Sequence, residues 1–430
     1  MESISLNSVK YIRGQTYPPG DKSISHRALI LASVARGKSH LKRISRGRDC
    51  QATLRIMRKL GVKIEGKEGN FSIQGRGLRG LEEPTDILNC RNSGTTMRIL
   101  SGLLSGQPFY SILSGDNSLR NRPMRRIVEP LSKMEARIFG RRQNEFPPLA
   151  ILGGSLKGID YVLPVASAQV KSCLLLAALL AEGKTSIKEI NSSRDHTERM
   201  LRFMGCPVKT EGPRIEIRGG NILEGKDIFI PGDISAAAFF ITGAVLLDGS
   251  FLRVKEVGLN PTRCGFLEVL KEMGADLKIK EKREICGEEV GNIEVRGGAS
   301  LKGLTISGEL IPRLIDEIPL LAVIGCFAQG ETLIKDAREL RVKETDRIRA
   351  ISSELRKMGA QIEEKEDGMI IQGSGQLRGT TCRSWGDHRI AMALTIAALC
   401  AQGKTRILNS GCISISFPGF LDTLQSLVSG

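Results

Sequence analysis

The sequence predicts an α/β fold built from six copies of one structural unit, with three copies in each of two domains. Three observations lead to this expectation. The chain has 430 residues, which is more than one ordinary domain holds. Hydrophobic residues make up 41% of it and charged residues 26%, as in soluble globular proteins. An apolar helix that ends in glycine, followed by a short β-prone run, recurs along the whole sequence.

Each copy of the repeat begins with a helix rich in small apolar residues, which ends at a glycine. Glycine suits this position because it easily adopts the left-handed conformation in which many helices close. The six predicted helices with their terminal glycines are Arg27–Gly37, Thr96–Gly106, Val170–Gly183, Ala236–Gly249, Ile318–Gly330 and Ile390–Gly403.

A β-prone run, an amphipathic second helix and two alternating strands complete the unit, which is therefore predicted as αβαββ. In the third copy these elements are Lys184–Ile190, Thr197–Gly205, and the strand pair Val208–Thr210 and Arg214–Arg218. The sixth copy stops directly after its second helix, so it lacks the closing strands. The strand-like segment Ser3–Arg13 near the N-terminus is available to supply part of the missing pair.

If this N-terminal segment joins the sixth copy, the two chain ends belong to one domain. We therefore predict a discontinuous domain of residues 1–20 and 233–430, and a second domain of residues 21–232. The crossings fall in turn-rich sequence, near Pro18-Pro19-Gly20 and near Pro231-Gly232-Asp233. Two such domains would face one another across a cleft, and we expect the active site in that cleft.

The composition restricts the class of partner. Lys and Arg number 63 against 47 Asp and Glu, and this net charge of +16 favours an anionic partner. Nucleic acid is disfavoured because aromatic residues are only 4% of the chain and the basic residues form no tail. No apolar run reaches the ~18 residues of a membrane span. We therefore expect small-molecule anions as partners, with no nucleic acid and no membrane.

Cysteine and histidine usage bears on location and on metal binding. The ten cysteines form no C-x-x-C pair and most lie in apolar runs, which is typical of buried thiols in a reducing compartment. The four histidines form no H-E-x-x-H motif and no cluster with cysteine. We expect a cytoplasmic protein without a metal site.

Polar residues concentrate at two positions of the repeat, the start of the first helix and the turn before the second helix. Helix N-termini carry unpaired N–H groups and a partial positive charge, so they bind phosphate and carboxylate oxygens. If the copies share one orientation, these positions converge on the cleft. The site would then collect seven cations: Lys22, Arg27, Arg122, Arg194, Lys343, Arg347 and Arg389.

Two acids, Asp316 and Glu344, are predicted to lie among these cations. Seven cations at one place repel one another unless multivalent anions occupy the site. The set of residues therefore suits two phosphorylated, carboxylated substrates with an acid–base pair between them.

Some of these polar residues also have a purely structural interpretation. Asp49, Asp233 and Asp387 are also suited to be simple N-caps of helices. For His26 and His196 we expect local hydrogen bonds in preference to ligand binding.

The polar motifs together resemble the enolpyruvyl transferase family, on the branch that acts on 3-phosphoshikimate. The resemblance extends from Pro19 to the end of the chain and is carried by motifs in five of the six copies. The motifs are Pro19–Arg27 (PGDKSISHR), Asn92–Arg98 (NSGTTMR), Arg122–Met124 (RPM), Ser167–Lys171 (SAQVK), Arg341–Arg347 (RVKETDR) and Asp387–Arg389 (DHR).

This resemblance implies an inside-out α/β barrel in each of two domains, with three βαβαββ-type units per domain, that closes around its substrates. It also implies the reaction: the carboxyvinyl group of phosphoenolpyruvate moves to the 5-hydroxyl of 3-phosphoshikimate by addition and elimination, on the way to chorismate. No metal or organic cofactor is implied, and we expect a monomer.

The resemblance further implies roles for individual residues. Asp316 matches the base that takes the proton of the 5-hydroxyl, Glu344 matches the acid that protonates C3 of phosphoenolpyruvate, and Lys22 contacts both substrates. The residues that match the 3-phosphoshikimate site are Lys22, Ser23, Arg27, Ser167, Gln169, Arg194, Asp316 and Lys343. Those that match the phosphoenolpyruvate site are Lys22, Gly94, Arg122, Gln169, Arg347, His388 and Arg389.

Some positions depart from a single branch of the family. Ser167–Gln169 and Arg194–Thr197 resemble the branch known for glyphosate tolerance, whereas Gly94 is the residue of the sensitive branch, and we expect sensitivity. Ile415 stands where many members carry a lysine on the phosphoenolpyruvate side.

Two other functions fit part of the sequence. The sister enzymes that transfer enolpyruvate to a uridine-diphosphate amino sugar carry Asn after the early lysine and a reactive cysteine in a loop. Ser23 and the absence of cysteine from Arg120–Arg126 disfavour that activity. An RNA-binding protein would also be basic, but it would be expected to have a basic surface stripe with aromatic stacking residues.

Overall fold

Helices and strands alternate along the chain in the computed structural model, which describes residues 2–428. The helices are α1 (Lys22–Ser33), α2 (Arg48–Lys59), α3 (Gly94–Ser105), α4 (Asn117–Arg120), α5 (Arg125–Lys133), α6 (Arg141–Asn144), α7 (Ala168–Leu180), α8 (His196–Phe203), α9 (Ile234–Leu246), α10 (Gly265–Glu272), α11 (Leu310–Leu314), α12 (Ile318–Phe327), α13 (Arg347–Lys357), α14 (His388–Cys400) and α15 (Phe420–Val428). Short 3₁₀ helices cover Arg338–Val342 and Ser410–Ile415.

The strands are mostly short. They are β1 (Ser3–Leu6), β2 (Arg13–Thr16), β3 (Lys38–Lys42), β4 (Lys63–Lys67), β5 (Asn70–Gln74), β6 (Leu88–Asn89), β7 (Tyr110–Ser114), β8 (Arg137–Gly140), β9 (Phe146–Leu152), β10 (Leu156–Lys157), β11 (Asp160–Leu163), β12 (Ala181–Glu182), β13 (Lys184–Glu189), β14 (Val208–Glu211), β15 (Arg214–Arg218), β16 (Asp227–Phe229), β17 (Phe251–Gly258), β18 (Asp276–Ile285), β19 (Glu288–Arg296), β20 (Thr305–Ile306), β21 (Glu331–Ile334), β22 (Gln361–Glu364), β23 (Met369–Gln372), β24 (Thr381–Arg383) and β25 (Thr405–Leu408).

The chain divides into two compact units. The insert unit consists of Gly20–Ile230 together with Ile285–Glu288. The terminal unit consists of the chain up to Pro19, Pro231–Glu284, and the chain from Glu289 onward. Lys and Arg number 36 against 21 Asp and Glu in the insert unit, but only 27 against 26 in the terminal unit. Nearly all of the positive surplus therefore belongs to the insert unit.

The insert unit contains three four-stranded sheets of the same topology. Their strand orders are β16-β3-β5-β4, β6-β7-β9-β8 and β11-β13-β15-β14. In each sheet a leading strand pairs in parallel with the strand that follows the first helix, and two antiparallel strands continue the sheet. Each leading strand comes from the end of the preceding copy, and β16, at the end of the third copy, leads the sheet of the first. The three copies are therefore closed into a ring of strand pairings.

The terminal unit repeats this topology with help from the N-terminus. Its sheets have the orders β2-β17-β19-β18, β20-β21-β23-β22 and β1-β25-β24. Strand β1 pairs antiparallel with β25, with Ser3 opposite Leu408 and Leu6 opposite Thr405. This is the strand predicted to complete the sixth copy. The next strand, β2, pairs in parallel with β17 and leads the sheet of the fourth copy.

The first helix of each copy is buried on nearly all sides. In α7 every residue from Val170 to Leu180 is buried, and α14 is buried from His388 to Leu399. A helix that is apolar all round must lie in a core. Helix α3 contacts both α1 and α7, and α9, α12 and α14 contact one another. The core of each unit therefore contains its three first helices, and the polar residues at their N-terminal turns stand out against it.

Close contact between α3 and α7 depends on Gly102. A Cβ atom at this position would lie 1.9 Å from the carbonyl oxygen of Cys173. Because that oxygen belongs to the backbone of a buried helix, it cannot move aside as the end of a side chain could. The two helices would have to separate.

We predict that Gly102→Ala lowers the thermal midpoint of unfolding. Overpacking of a core costs ~1–3 kcal/mol or more, which exceeds the ~1 kcal/mol that alanine normally gains over glycine inside a helix. The matched control is Gly325→Ala in α12, where the nearest atoms are side-chain atoms of Ile371 and Thr332 at 3.2 Å. Calorimetry of both variants checks the prediction, and an unchanged midpoint for Gly102→Ala would contradict it.

None of the helices in the described part of the chain is both long enough and apolar enough to cross a membrane.

Candidate functional site

The N-terminal turn of α1 carries the first predicted cation, Lys22. Asp21 caps the helix, since its carboxylate accepts a hydrogen bond from the backbone N–H of Ile24 at 2.8 Å. The Nζ atom of Lys22 lies 3.3 Å from Oδ2 of Asp49, and the two side chains are 16% and 8% exposed. Asp49 is therefore an ion-pair partner of Lys22, and the interpretation of Asp49 as an N-cap is wrong, because Gly47 is the N-cap of α2.

Arg27, one turn further along α1, is buried and joins three helices. Its Nε donates to Oγ1 of Thr197 at 2.6 Å and its Nη2 donates to Oγ of Ser172 at 2.7 Å. Its Nη1 donates to the backbone oxygen of Ser23 at 2.8 Å. Burial lowers the pKa of Arg27 to about 10, against the opposing effect of Glu198. Arg27 therefore stays charged at neutral pH, and all three of its donor nitrogens are held in place.

The N-terminus of α3 places a bare backbone beside two guanidinium groups. Ser93 caps the helix by accepting a hydrogen bond from the N–H of Thr96 at 3.1 Å, and Gly94 is the first helical residue. A Cβ atom at Gly94 would lie 3.0 Å from Nη1 of Arg98 and 3.4 Å from Nη1 of Arg122. A side chain at this position would therefore compete with whatever the two guanidinium groups bind.

Arg98 is absent from the site residues that the sequence predicts. Its Nη1 donates to Oε1 of Gln169 at 2.6 Å, and Nε2 of Gln169 donates to Oγ1 of Thr95 at 2.8 Å. These bonds join the N-terminal turns of α3 and α7. The signal was present in the sequence, because Arg98 follows Gly94 by four positions and so lies on the same helix face.

Three further predicted residues of the insert unit lie in turns before helices: Arg122 before α5, Ser167 before α7 and Arg194 before α8. Nη2 of Arg122 donates to Oδ1 of Asn92 at 2.6 Å. Ser167 caps α7 and accepts from the N–H of Val170 at 3.5 Å. Arg194 is half-buried in the turn before α8, and its charge contributes to the lowered pKa of Arg27.

His26 begins a chain of hydroxyl hydrogen bonds from α1 to the cap of α3. Its Nδ1 is 2.7 Å from Oγ1 of Thr53, which is 2.8 Å from Oγ1 of Thr96. The hydroxyl of Thr96 donates to Oγ of Ser93 at 2.7 Å. His196 is likewise hydrogen-bonded, with Nδ1 2.7 Å from Oε1 of Glu288. Both histidines are hydrogen-bonded to other side chains, as the sequence predicts, but the partners lie 27 and 92 positions away.

The pKa of His26 leads to a prediction on stability at low pH. Burial, with smaller effects of Lys22 and Arg27, lowers the pKa of His26 well below 6.5 in the folded protein, whereas the unfolded chain has the ordinary value of about 6.5. Below about pH 6.5 the unfolded chain therefore binds a proton that the folded protein does not. The free energy of unfolding therefore decreases as the pH falls below this value, by up to ~1.4 kcal/mol per pH unit.

We expect His26→Gln to reduce the dependence of the thermal midpoint on pH between about 5 and 6.5. The matched control is His40→Gln, because His40 is exposed on β3. Thermal melts of the three proteins over this range make the comparison. The same slope for His26→Gln and the unsubstituted protein would show that His26 is not the titrating group.

In the terminal unit, Arg347 organises the polar residues. It is the first residue of α13, it is only 1% exposed, and it binds three carboxylates. Its Nη2 donates to Oε2 of Glu344 at 2.6 Å, its Nε to Oδ2 of Asp387 at 2.8 Å, and its Nη1 to Oδ1 of Asp316 at 3.4 Å. Burial acts against the charge, but Asp387, Glu344 and Asp316 together raise the pKa of Arg347 above its ordinary value. The predicted acids Asp316 and Glu344 thus share one guanidinium.

Arg389 holds Asp316 from a second side. Its Nη1 donates to the backbone oxygen of Asp316 at 3.2 Å, and its Nη2 lies 3.4 Å from Oδ2 of the same residue. Asp387 caps α14 by accepting from the N–H of Arg389 at 2.8 Å, so it is both a cap and an ion-pair partner. His388, between them, is fully buried. Asp233 caps α9 as the structural interpretation expects, by accepting from the N–H of Ser235 at 2.8 Å.

Lys343 is the least buried of the predicted cations in this unit. Its side chain is 27% exposed, and its Nζ lies 3.7 Å from Oε1 of Glu339. Burial lowers the pKa of Lys343, while Glu339 and Asp316 oppose the shift. A bound anion would raise this pKa again, so Lys343 is suited to bind one. Ile415 ends the 3₁₀ turn Ser410–Ile415 and contributes no charge.

The predicted site residues thus form two sets. The insert unit carries Lys22, Ser23, Arg27, Gly94, Arg122, Ser167, Gln169 and Arg194. The terminal unit carries Asp316, Lys343, Glu344, Arg347, His388 and Arg389. The sequence predicts two acids among the cations, and the structure adds Asp49 and Asp387, each paired with a predicted cation. Within residues 2–428, no group of three or more His, Cys, Asp or Glu side chains is arranged to hold a metal ion.

Most residues of both sets lie at the N-terminal turns of helices or in the turns that precede them, where backbone N–H groups and cationic side chains together favour phosphate and carboxylate groups. Hydrogen bonds link these turns within each unit: Arg27 links α1 to α7, and Ser235 on α9 donates to Glu317 next to α12. Asp316 and Glu344 add carboxylates that can accept and donate protons. The arrangement is suited to acid–base chemistry on small anions.

Comparison with known proteins points to one family. The sequence profile of the family described as EPSP synthase (3-phosphoshikimate 1-carboxyvinyltransferase) matches residues 6–424. The chain is 50% identical over 429 residues to the 3-phosphoshikimate 1-carboxyvinyltransferase of Geobacter metallireducens, covering 100% of both chains. It is 51% identical over 424 residues to that of Desulforamulus reducens, covering 98% of this chain and 99% of the relative. The structure of EPSP synthase from Acinetobacter baumannii matches with a TM-score of 0.89 at 44% identity, covering 100% of this chain and 98% of that one.

Proposed function

The chain belongs to the EPSP synthase family, and from this premise we propose that it is a transferase that moves the carboxyvinyl group of phosphoenolpyruvate to the 5-hydroxyl of 3-phosphoshikimate. The products are 5-enolpyruvylshikimate 3-phosphate and inorganic phosphate, and the reaction belongs to the shikimate pathway. The observation in the structure that carries the proposal is the cluster at Arg347, where one buried guanidinium holds two carboxylates, Asp316 and Glu344, that can serve as base and acid.

The reaction needs one proton acceptor and one proton donor. In the addition step Asp316 takes the proton of the 5-hydroxyl, and the oxygen of this hydroxyl bonds to C2 of phosphoenolpyruvate. Glu344 gives a proton to C3. In the elimination step Glu344, which the first step has ionised, takes a proton back from C3, the bond from C2 to the phosphate oxygen breaks, and the leaving phosphate takes the proton held by Asp316. Arg347 and Arg389 bind the carboxylate of Asp316 from two sides and hold it in place.

The insert unit supplies most of the groups for binding. For 3-phosphoshikimate we assign Lys22, Ser23, Arg27, Ser167, Gln169, Arg194, Asp316 and Lys343. For phosphoenolpyruvate we assign Lys22, Gly94, Arg122, Gln169, Arg347, His388 and Arg389. Gln169 is assigned to both sets. Its hydrogen bonds to Arg98 and Thr95 join the N-terminal turns of α3 and α7. We propose that the residues of the two units act on the same pair of substrates.

We also propose that each unit is an inside-out barrel, with its first helices inside and its sheets outside. The burial of the first helices and the ring of strand pairings support this architecture. The proposed domains remain residues 1–20 with 233–430, and residues 21–232. The division of the chain at Pro19 and at Ile230 supports these boundaries, with Ile285–Glu288 as an additional contribution to the insert unit.

We propose further that the protein works in the cytoplasm as a monomer and without a nucleic-acid partner. All ten cysteines are free thiols. Burial raises the pKa of Cys50, Cys90 and Cys173 above the ordinary thiol value, as for inert thiols in a reducing compartment.

Lys22→Ala and Asp316→Ala test the assigned roles. Each is expected to lower turnover by roughly 10²–10⁴-fold, the range for the loss of a positioned catalytic group. The measurement is phosphate release from phosphoenolpyruvate with and without 3-phosphoshikimate. Lys63→Ala and Asp160→Ala, at exposed positions on β4 and β11, are the matched controls and should retain activity. Near-normal turnover in Lys22→Ala or Asp316→Ala would overturn that residue's role, and release independent of 3-phosphoshikimate would overturn the function.

Glyphosate should inhibit the enzyme in competition with phosphoenolpyruvate. Gly94 leaves the space next to Arg98 and Arg122 open to a second anion of similar size. We expect an inhibition constant no higher than the KM for phosphoenolpyruvate, and a higher constant in Gly94→Ala. Steady-state inhibition kinetics decide the point, since an inhibition constant far above that KM in the unsubstituted enzyme contradicts sensitivity.

A further inference from the structure

A buried ion triad lies behind the N-terminal turn of α7. The Nζ atom of Lys171 is 2.8 Å from Oε2 of Glu189 and 2.7 Å from Oε1 of Glu198. The side chain of Lys171 is only 1% exposed, so this lysine is not placed to touch a substrate. Burial acts against its charge, but Glu198 and Glu189 raise the pKa of Lys171 above the ordinary value. The triad is therefore a charged centre inside the insert unit.

This triad fixes the turn that carries Arg194. Oε1 of Glu189, at the end of β13, accepts hydrogen bonds from the N–H of Ser193 at 3.1 Å and from its hydroxyl at 2.5 Å. Nζ of Lys171 donates to the backbone oxygen of Ser193 at 3.3 Å. Three hydrogen bonds thus hold the residue directly before Arg194 by its N–H, its carbonyl and its side chain.

The same triad is adjacent in sequence to the partners of Arg27. Ser172 follows Lys171, and Thr197 precedes Glu198. Both hydroxyls accept hydrogen bonds from Arg27, and they lie 2.7 Å from each other. A displacement of the Lys171–Glu198 pair would therefore move the two groups that orient the Arg27 guanidinium.

We propose that Lys171 is a positioning residue for 3-phosphoshikimate, which acts by setting the guanidinium groups of Arg27 and Arg194. This inference rests on the proposed function. Gln169 on α7 is assigned to both substrates, but the groups assigned only to phosphoenolpyruvate on α3 and before α5 are held by other contacts, such as that of Arg122 with Asn92. Loss of the triad should therefore weaken the binding of 3-phosphoshikimate selectively.

The test uses a variant that leaves the net charge of the triad unchanged. Lys171→Met combined with Glu198→Gln removes one positive and one negative charge, and Glu189 keeps its two hydrogen bonds to Ser193. We expect the KM for 3-phosphoshikimate to rise by about 10-fold or more, with kcat and the KM for phosphoenolpyruvate changed by less than about 3-fold. Ser193→Ala, which removes only the hydroxyl bond to Glu189, should produce a smaller shift in the same direction and serves if the double variant does not fold.

Ile187→Val is the matched control. Ile187 is buried in β13, the strand that also carries Glu189, and its side chain belongs to the hydrophobic core. It should lower the thermal midpoint without separating the two KM values. Two outcomes in the double variant or in Ser193→Ala would overturn the positioning role. One is an equal change in both KM values, and the other is a fall in kcat at an unchanged KM for 3-phosphoshikimate. The unsubstituted enzyme is assayed in parallel, and its failure to use 3-phosphoshikimate would overturn the proposed function instead.

Discussion

The burial of a guanidinium at Arg347 is the interaction on which the terminal part of the site depends. A buried charge is tolerated only when it is paired and fully hydrogen-bonded. Asp387, Glu344 and Asp316 meet this requirement together, and removing one partner from such a cluster typically costs ~3–5 kcal/mol. The same contacts that stabilise the fold therefore fix the two carboxylates to which the chemistry is assigned. The structural requirement and the proposed catalytic one coincide at this residue.

In the insert unit three buried guanidinium groups bind neutral side chains, whereas Lys22 and Lys171 pair with carboxylates. Arg27 binds the hydroxyls of Ser172 and Thr197, Arg98 binds the amide of Gln169, and Arg122 binds the amide of Asn92. These partners are neutral, so they orient the guanidinium groups without cancelling their charge. This pattern agrees with the excess of Lys and Arg in the insert unit, 36 against 21 acids, where the terminal unit has 27 against 26.

Periodic features of the fold could be predicted from the sequence, whereas pairings between distant residues could not. Apolar helices and alternating strands leave regular patterns, and the incomplete sixth copy pointed to the N-terminal strand that pairs with β25. The predicted helix ends were wrong in five of the six copies, where the helix stops three or four residues before its glycine and the glycine lies in the turn to the next strand. Leading strands such as β6 have only two residues, too few to show an alternating pattern. Asp49 lies 27 positions from Lys22, and before the fold is known nothing distinguishes it from a helix cap. Arg98 and Lys171 fall inside the quoted motifs, but their roles depend on Gln169, Glu189 and Glu198, which only tertiary packing brings to them.

The uneven distribution of charge favours different roles for the two units in the proposed reaction, with binding in the insert unit and proton transfer in the terminal unit. Surplus positive charge attracts multivalent anions over a distance of about 8 Å at physiological salt, so binding is best assigned to the insert unit. The same surplus would keep any nearby carboxylate ionised, which is unsuitable for a proton donor. In the terminal unit the cations and acids nearly balance, and the two carboxylates assigned to proton transfer share the guanidinium of Arg347. A balanced cluster is thus the better place for an acid and a base that must exchange protons during each turnover.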